Sequence, residues 1–117
     1  MHELSICQSL IHQVENIALE RNALCVTSII IGIGPLSGVE AQLLKNAYTV
    51  ASAGTVAEHA ELIIETLPIR VKCSLCGSES DALPNKLICK QCGDWRTRLL
   101  SGDEMMLLRV EFEKAVH

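Results

Sequence analysis

Apolar residues at Leu4, Cys7, Leu10, Ile11, Val14, Ile17 and Ala18 recur at the three- and four-residue spacing of an α-helix, while Gln8, His12, Gln13, Glu15, Asn16 and Glu20 fill the other positions. The chain therefore opens on an amphipathic helix. The stretch "CVTSIIIGIG" changes period, because its β-branched residues run on until glycines and Pro35 close them. Such a run predicts a strand with both faces at least partly covered. Ser37 and Glu40 then stand at the S-x-x-E spacing of a capping box. They predict a second helix with an apolar stripe of Val39, Leu43, Leu44, Ala47, Val50 and Ala51, stopped near Gly54. "ELIIETL", ended by Pro68, reads as a second strand and "EMMLLRVEFE" as a third.

From Pro68 to Gly102 the pattern is lost and cysteines take its place. "CSLCG" and "CKQCG" supply Cys73, Cys76, Cys89 and Cys92, two C-x2-C pairs with twelve residues between them and a glycine, Gly77 or Gly93, directly after each. That spacing lets two thiolates take adjacent corners of a tetrahedron, and the glycines suit the tight turn of a metal knuckle. A segment whose main apolar residues are Leu75, Leu83, Leu87, Ile88 and Trp95 has too small a core to fold without such a staple. A structural zinc site is the favoured reading. Two redox-active dithiols and a rubredoxin-like iron site stay open, since sulfur ligands alone do not choose the metal. Trp95, flanked by Arg96 and Arg98, is expected to pack on the knuckle; stacking on a nucleic-acid base is the alternative.

The expected fold is therefore α+β, with two helices packed on a three-stranded sheet and a small inserted four-cysteine zinc-knuckle module. Residues 1–67 and 103–117 form the main domain and residues 68–102 the insertion. A chain of 117 residues can bury a core of its own. Charge adds one distinction. The insertion holds six basic and three acidic residues, leaving four basic and eleven acidic outside it, for a net charge of -4 overall. Four thiolates around a zinc ion would bring the insertion from +3 to about +1, so its basicity is weak. An acidic chain argues against general nucleic-acid or anionic-membrane binding. The longest aliphatic run, Ile29 to Ile33, is too short to span a bilayer, and the polar start is unlike a signal peptide, so a cytoplasmic location is expected. In a reducing compartment the cysteines are ligands or core residues rather than disulfides, and Cys7 and Cys25 read as core. His12, His59 and His117 read as solvated. No nucleophile, base and orienting group occur together, so no enzymatic activity is expected.

"MHELSICQSL", "IGIGPLSGVE", "GTVAEHAEL" and the paired CxxC segment, in order over nearly the whole chain, resemble the hydrogenase maturation factor family HypA/HybF, whose members are nickel metallochaperones. The resemblance implies a nickel-binding domain of helices on a three-stranded sheet with a zinc-binding domain before the last strand. It implies Ni2+ as cargo at Met1, His2 and Glu3, and structural Zn2+ at Cys73, Cys76, Cys89 and Cys92. The implied partners are a maturation GTPase of the same pathway and the [NiFe]-hydrogenase large subunit, with urease maturation proteins a further possibility. A zinc-ribbon regulatory or nucleic-acid/protein-binding module is the alternative function. Chemistry agrees with the nickel assignment: the Met1 amine, the deprotonated amides of His2 and Glu3 and the His2 imidazole are nitrogen donors of the kind Ni(II) prefers. The Glu3 carboxylate can also orient the site from outside it. Pro35 stands where many relatives carry an acidic residue, and no histidine lies beside either cysteine pair. Any exchange of a cysteine for a histidine ligand is therefore not expected here.

Overall fold

A computed structural model describes residues 2–114, with side chains for residues 3–113. Two helices and six strands follow one another as α1 (His2–Glu20), β1 (Ala23–Ile33), α2 (Ala41–Ala51), β2 (Glu61–Thr66), β3 (Arg70–Cys73), β4 (Glu79–Asp81), β5 (Thr97–Ser101) and β6 (Met105–Lys114). The strands form two three-stranded sheets, ordered β2-β1-β6 and β4-β3-β5. The chain divides into two compact units. One comprises residues 1–31, 39–64 and 106–117, the other residues 32–38 and 65–105.

In the first unit the stripe of α1 is buried at Cys7, Leu10, Ile11, Val14 and Ala18. Asn22, at φ 54, ends the helix in the left-handed region that Asn tolerates, and β1 starts one residue later. Val26, Ile29, Ile30 and Ile31 of β1 are all buried, so both faces of the strand are covered, as its unbroken apolar run requires. The helices α1 and α2 pack against each other. Here α2 departs from its expected form. Glu40 is its N-cap, in extended conformation and with no side-chain capping bond, so Ser37 and Glu40 do not form a capping box. The reason lies upstream, where the Ser37 amide donates to the Gly34 carbonyl at 3.0 Å and Gly38 takes φ 78. That turn delays the helix. Its buried face is then Leu44 and Tyr48, one helical turn apart, while Leu43 and Val50 are exposed. The Tyr48 hydroxyl donates to the Ala57 carbonyl at 2.8 Å, which fixes the helix rotation and satisfies the one polar atom the ring brings inside.

The second unit holds strands that the sequence pattern did not announce. Arg70, Val71 and Lys72 of β3 pair antiparallel with Asp81, Ser80 and Glu79 of β4, and Val71 to Cys73 pair with Leu99, Arg98 and Thr97 of β5. Val71 is fully buried. Below this sheet the backbone is sewn to the loop after β1: the Gly34 amide donates to the Glu104 carbonyl at 2.8 Å, Leu36 to Gly102 at 2.7 Å and Leu67 to Ile33 at 3.0 Å. Chains this close leave no room for a Cβ. One built on Gly34 would strike the Gly102 carbonyl, and one on Gly102, at φ 117, would lie 2.8 Å from the Ile69 side chain.

Gly102→Ala should destabilise the protein by about 2–3 kcal/mol, through left-handed strain plus overpacking. Gly38→Ala, where a Cβ meets open space, should cost only about 1 kcal/mol from φ alone. Denaturant midpoints of the two variants check the difference, and equal shifts would contradict the close approach.

Candidate metal centre

Each C-x2-C pair is carried on a turn that its glycine permits. The Gly77 amide donates to the Cys73 carbonyl at 3.1 Å and the Gly93 amide to the Cys89 carbonyl at 2.8 Å, with the two glycines at φ 76 and 77. β3 delivers Cys73 directly into the first turn, while the Ser74 amide donates to the Arg96 carbonyl at 2.8 Å and so draws the two knuckles together. The Thr97 hydroxyl, donating to the Leu87 carbonyl at 2.7 Å, ties the entry of the second knuckle to β5.

The four sulfurs meet. All lie within 4.8 Å of one another, with Cys73 to Cys92 and Cys76 to Cys89 both at 3.6 Å. Four sulfurs at the usual zinc–sulfur bond length of about 2.3 Å form a tetrahedron with edges of about 3.8 Å, so the cage fits an ion of that kind. Backbone amides aim inward as well: Cys76 donates to the Cys73 sulfur at 3.5 Å, and Gln91 and Cys92 to the Cys89 sulfur at 3.3 and 3.4 Å. Amide bonds to sulfur favour thiolate over thiol. Cys73 and Cys89 are buried and Cys76 and Cys92 exposed, so each knuckle supplies one inner and one outer ligand.

Electrostatics sort the four. Hydrogen bonds from the Ser78 hydroxyl and amide pull the Cys76 thiol down to about 6. At Cys92 the Asp94 amide acts in the same direction, but the shared proton with Cys73, burial, and the nearby Cys89 and Cys76 outweigh it and push the thiol up to about 12. Four crowded thiols cannot all ionise alone, whereas a divalent cation makes every sulfur anionic at once. Among the described residues these four cysteines are the group of His, Cys, Asp and Glu side chains able to hold a metal ion.

The other sequence candidates fall in different places. Met1 lies outside the described residues, His2 is the first residue of α1, and Glu3 in its first turn is buried, with only 8% of its surface exposed. Burial of Glu3 was legible in principle, because residues 3, 7, 10 and 14 share one helical face; its acidic character masked the pattern. Cys7, one turn on, is fully buried and donates to the Leu44 carbonyl at 3.4 Å, while burial, helped by the Glu3 charge, raises its pKa. Cys25 is half-buried, and His12 and His59 are exposed; His117 lies outside the described residues. Trp95 does not pack on the knuckle as expected: it is 75% exposed, with the Arg96 guanidinium 5.8 Å from its ring centre. Arg96 is in turn held by Asp94 at 3.0 Å, so its charge is already matched. No helix of the described residues is long and apolar enough to cross a membrane.

An α+β unit accompanied by a four-cysteine knuckle pair defines a small protein built around metal binding. The family model for the hydrogenase/urease nickel-incorporation metallochaperone HypA matches residues 1–112, and the chain belongs to that family. It is 51% identical over 111 residues to the hydrogenase maturation factor HypA of Nitrosospira multiformis, covering 95% of this chain and 96% of the relative. The Aquifex aeolicus factor is 45% identical over 113 residues, covering 97% and 98%. The solution structure of the Ni metallochaperone HypA from Helicobacter pylori shares the fold, with a TM-score of 0.73, 24% identity and coverage of 97% and 98%. A second HypA solution structure superposes with a TM-score of 0.74 at 28% identity, covering 96% of each chain.

Chelation of an ion held by the four cysteines should remove folding free energy on the order of 10 kcal/mol from the second unit, far more than its small sheet supplies. Circular dichroism and NMR should then show β3 to β5 lost while the α1–α2 signals persist. Cobalt(II) added back should give the intense visible bands of a tetrahedral sulfur site, and Cys89→Ser should abolish them. Retention of those bands in Cys89→Ser would remove Cys89 from the ligand set.

Proposed function

We propose that the chain binds Ni(II) at Met1, His2 and Glu3 and hands it on during maturation of a [NiFe]-hydrogenase, with Zn2+ held structurally by Cys73, Cys76, Cys89 and Cys92. The carrying observation is the family match, which runs from residue 1 through both cysteine pairs to residue 112. Two features of the molecule support the nickel assignment. α1 starts at His2, and the first amides of a helix have no carbonyl partner within it, so deprotonating them for a metal breaks no helical hydrogen bond. The buried Glu3 anchors the backbone of the same first turn of α1.

The division of labour follows from ligand chemistry. Sulfur in a tetrahedron suits zinc, and nitrogen in a plane suits nickel, so one chain carries two ions without exchanging their sites. In this reading residues 1–67 and 103–117 form the nickel-binding domain and residues 68–102 the zinc-binding insertion. The chain acts by transfer rather than catalysis, in the cytoplasm, with a maturation GTPase and the hydrogenase large subunit as partners and urease maturation proteins as further recipients.

Chain length tests the site. The Met1 amine, the His2 amide and the His2 imidazole close a five- and a six-membered ring, and recruiting the Glu3 amide opens a looser seven-membered one. One glycine ahead of Met1 places the imidazole third, where amine, two amides and imidazole close five-, five- and six-membered rings. That variant should bind nickel more tightly and deliver it poorly. His2→Ala, or an extension of several residues, should lose the planar nitrogen site with zinc and fold intact. Calorimetric nickel titration, absorption spectra and an in-cell hydrogenase assay distinguish the constructs. A long extension that bound and delivered nickel like the native chain would overturn the site, and iron in place of zinc in freshly purified protein would overturn the zinc assignment.

A further inference from the structure

Along β3 the side chains alternate, with Val71 and Cys73 buried on one face and Arg70 and Lys72 on the other. Arg70 is neutralised where it stands: its guanidinium donates to Asp81 of β4 at 2.9 Å, and the Glu79 charge adds to the same stabilisation. Lys72 is placed differently. Its register partner on β5 is Arg98, so two cations face each other across neighbouring strands, an arrangement that costs stability. Glu79 is the register partner of Lys72 on the other side, yet among the described residues neither Lys72 nor Arg98 forms an ion pair. Both line an open groove of about 420 Å3 with Cys73, Ser74 and Gly77, wholly within the second unit.

We propose that this groove docks an acidic segment of a partner protein, with Lys72 and Arg98 each holding one of its carboxylates. The two cations stand on directly opposed residues, about 5 Å apart at the backbone. Carboxylates two residues apart on one face of an extended segment are about 6.8 Å apart, a difference that the long lysine and arginine side chains span. Ser74 adds a hydroxyl at the same groove. The metal cage does not supply the missing counter-charge, because Cys73 alternates to the opposite face of β3 and its sulfur is engaged by Cys92 and the Cys76 amide. A phosphate group fits less well. Phosphate cradles use free backbone amides, and here the amides of Cys73, Ser74 and Gly77 are all spent, on the carbonyls of Ser78, Arg96 and Cys73. Nor is the attraction general: the chain carries a net charge of -4, so an acidic peptide is repelled by the molecule at large and held only where cations lie unmatched. The site is independent of the nickel assignment, since no metal takes part in the contact.

Fluorescence anisotropy of a short labelled peptide of alternating glutamate and alanine, titrated with the full chain at low ionic strength, tests the docking. Binding is expected, and it should weaken steadily as salt is added. Lys72→Gln and Arg98→Gln should each weaken it about fivefold, whereas Arg70→Gln, which removes a cation already matched by Asp81, should change it by less than about twofold. Circular dichroism checks that each variant keeps its fold. If one does not, NMR on the unaltered chain decides: the amides of Lys72, Ser74 and Arg98 should shift on addition of the peptide, and those of α1 should not. Absence of binding at low ionic strength, equal weakening by Arg70→Gln, or shifts confined to other residues would overturn the proposal. Displacement of the peptide by an equal concentration of inorganic phosphate would overturn it too, and make the groove a small-anion site.

Discussion

Four thiols within 4.8 Å of one another repel as anions and compete for protons as acids, and a cation among them removes both difficulties. Much of the second unit rests on that condition. Its sheet is short, its fully buried apolar content is little more than Val71 beside Cys73 and Cys89, and several of its larger apolar side chains, Leu75, Leu83 and Trp95, face solvent. A cation at the sulfurs would do there what hydrophobic burial does in the first unit, where Leu10, Val14, Ile29, Ile31 and Leu44 close an ordinary core. The one chain thus folds by two different driving forces.

How far each unit could be read from the sequence follows from the same difference. Where burial is the driving force, periodicity records it: α1, β1, β2 and β6 stand where the apolar pattern puts them, and the α+β plan follows. Where metal ligation is the driving force, spacing records the ligands but not the strands around them. β3 alternates over only four residues, with Val71 and Cys73 buried, and β4 and β5, which carry Glu79, Asp81 and Arg98, are too short for a pattern to stand out. Arg70 and Asp81, eleven residues apart, are a cross-strand ion pair at 2.9 Å that only the fold reveals. The start of α2 was misread for a different reason. A capping box is a local signal, and the turn at Gly34–Gly38, fastened to Gly102 and Glu104, prevailed over it. The burial of Glu3 and Tyr48 is not legible in the apolar pattern, because each brings a polar atom into the interior, which a count of apolar positions passes over.

The separation of ligand types also bears on fidelity. Under the proposed nickel assignment the transferred ion would be held by nitrogen donors that cost little to reprotonate. Under the same proposal the resident ion would stay, because the inner sulfurs of its cage, Cys73 and Cys89, are buried and accept hydrogen bonds from backbone amides. Shielding and amide bonding both slow ligand exchange at the cysteines. Neither ion would then need a selective gate, because coordination preference would perform the sorting.

The aromatic residues have an optical consequence. The chain has one tryptophan and one tyrosine, and they fall in different units: Trp95 is exposed three residues beyond Cys92, and Tyr48 is buried in α2 with its hydroxyl bonded to Ala57. Each unit therefore carries one of the chain's two strong near-ultraviolet chromophores, Phe112 absorbing only weakly beside Tyr48. Indole emission responds to the polarity and quenchers around the cysteine knuckles, and phenol absorption responds to the helix interface. Events in the two units can be followed separately in one unlabelled sample.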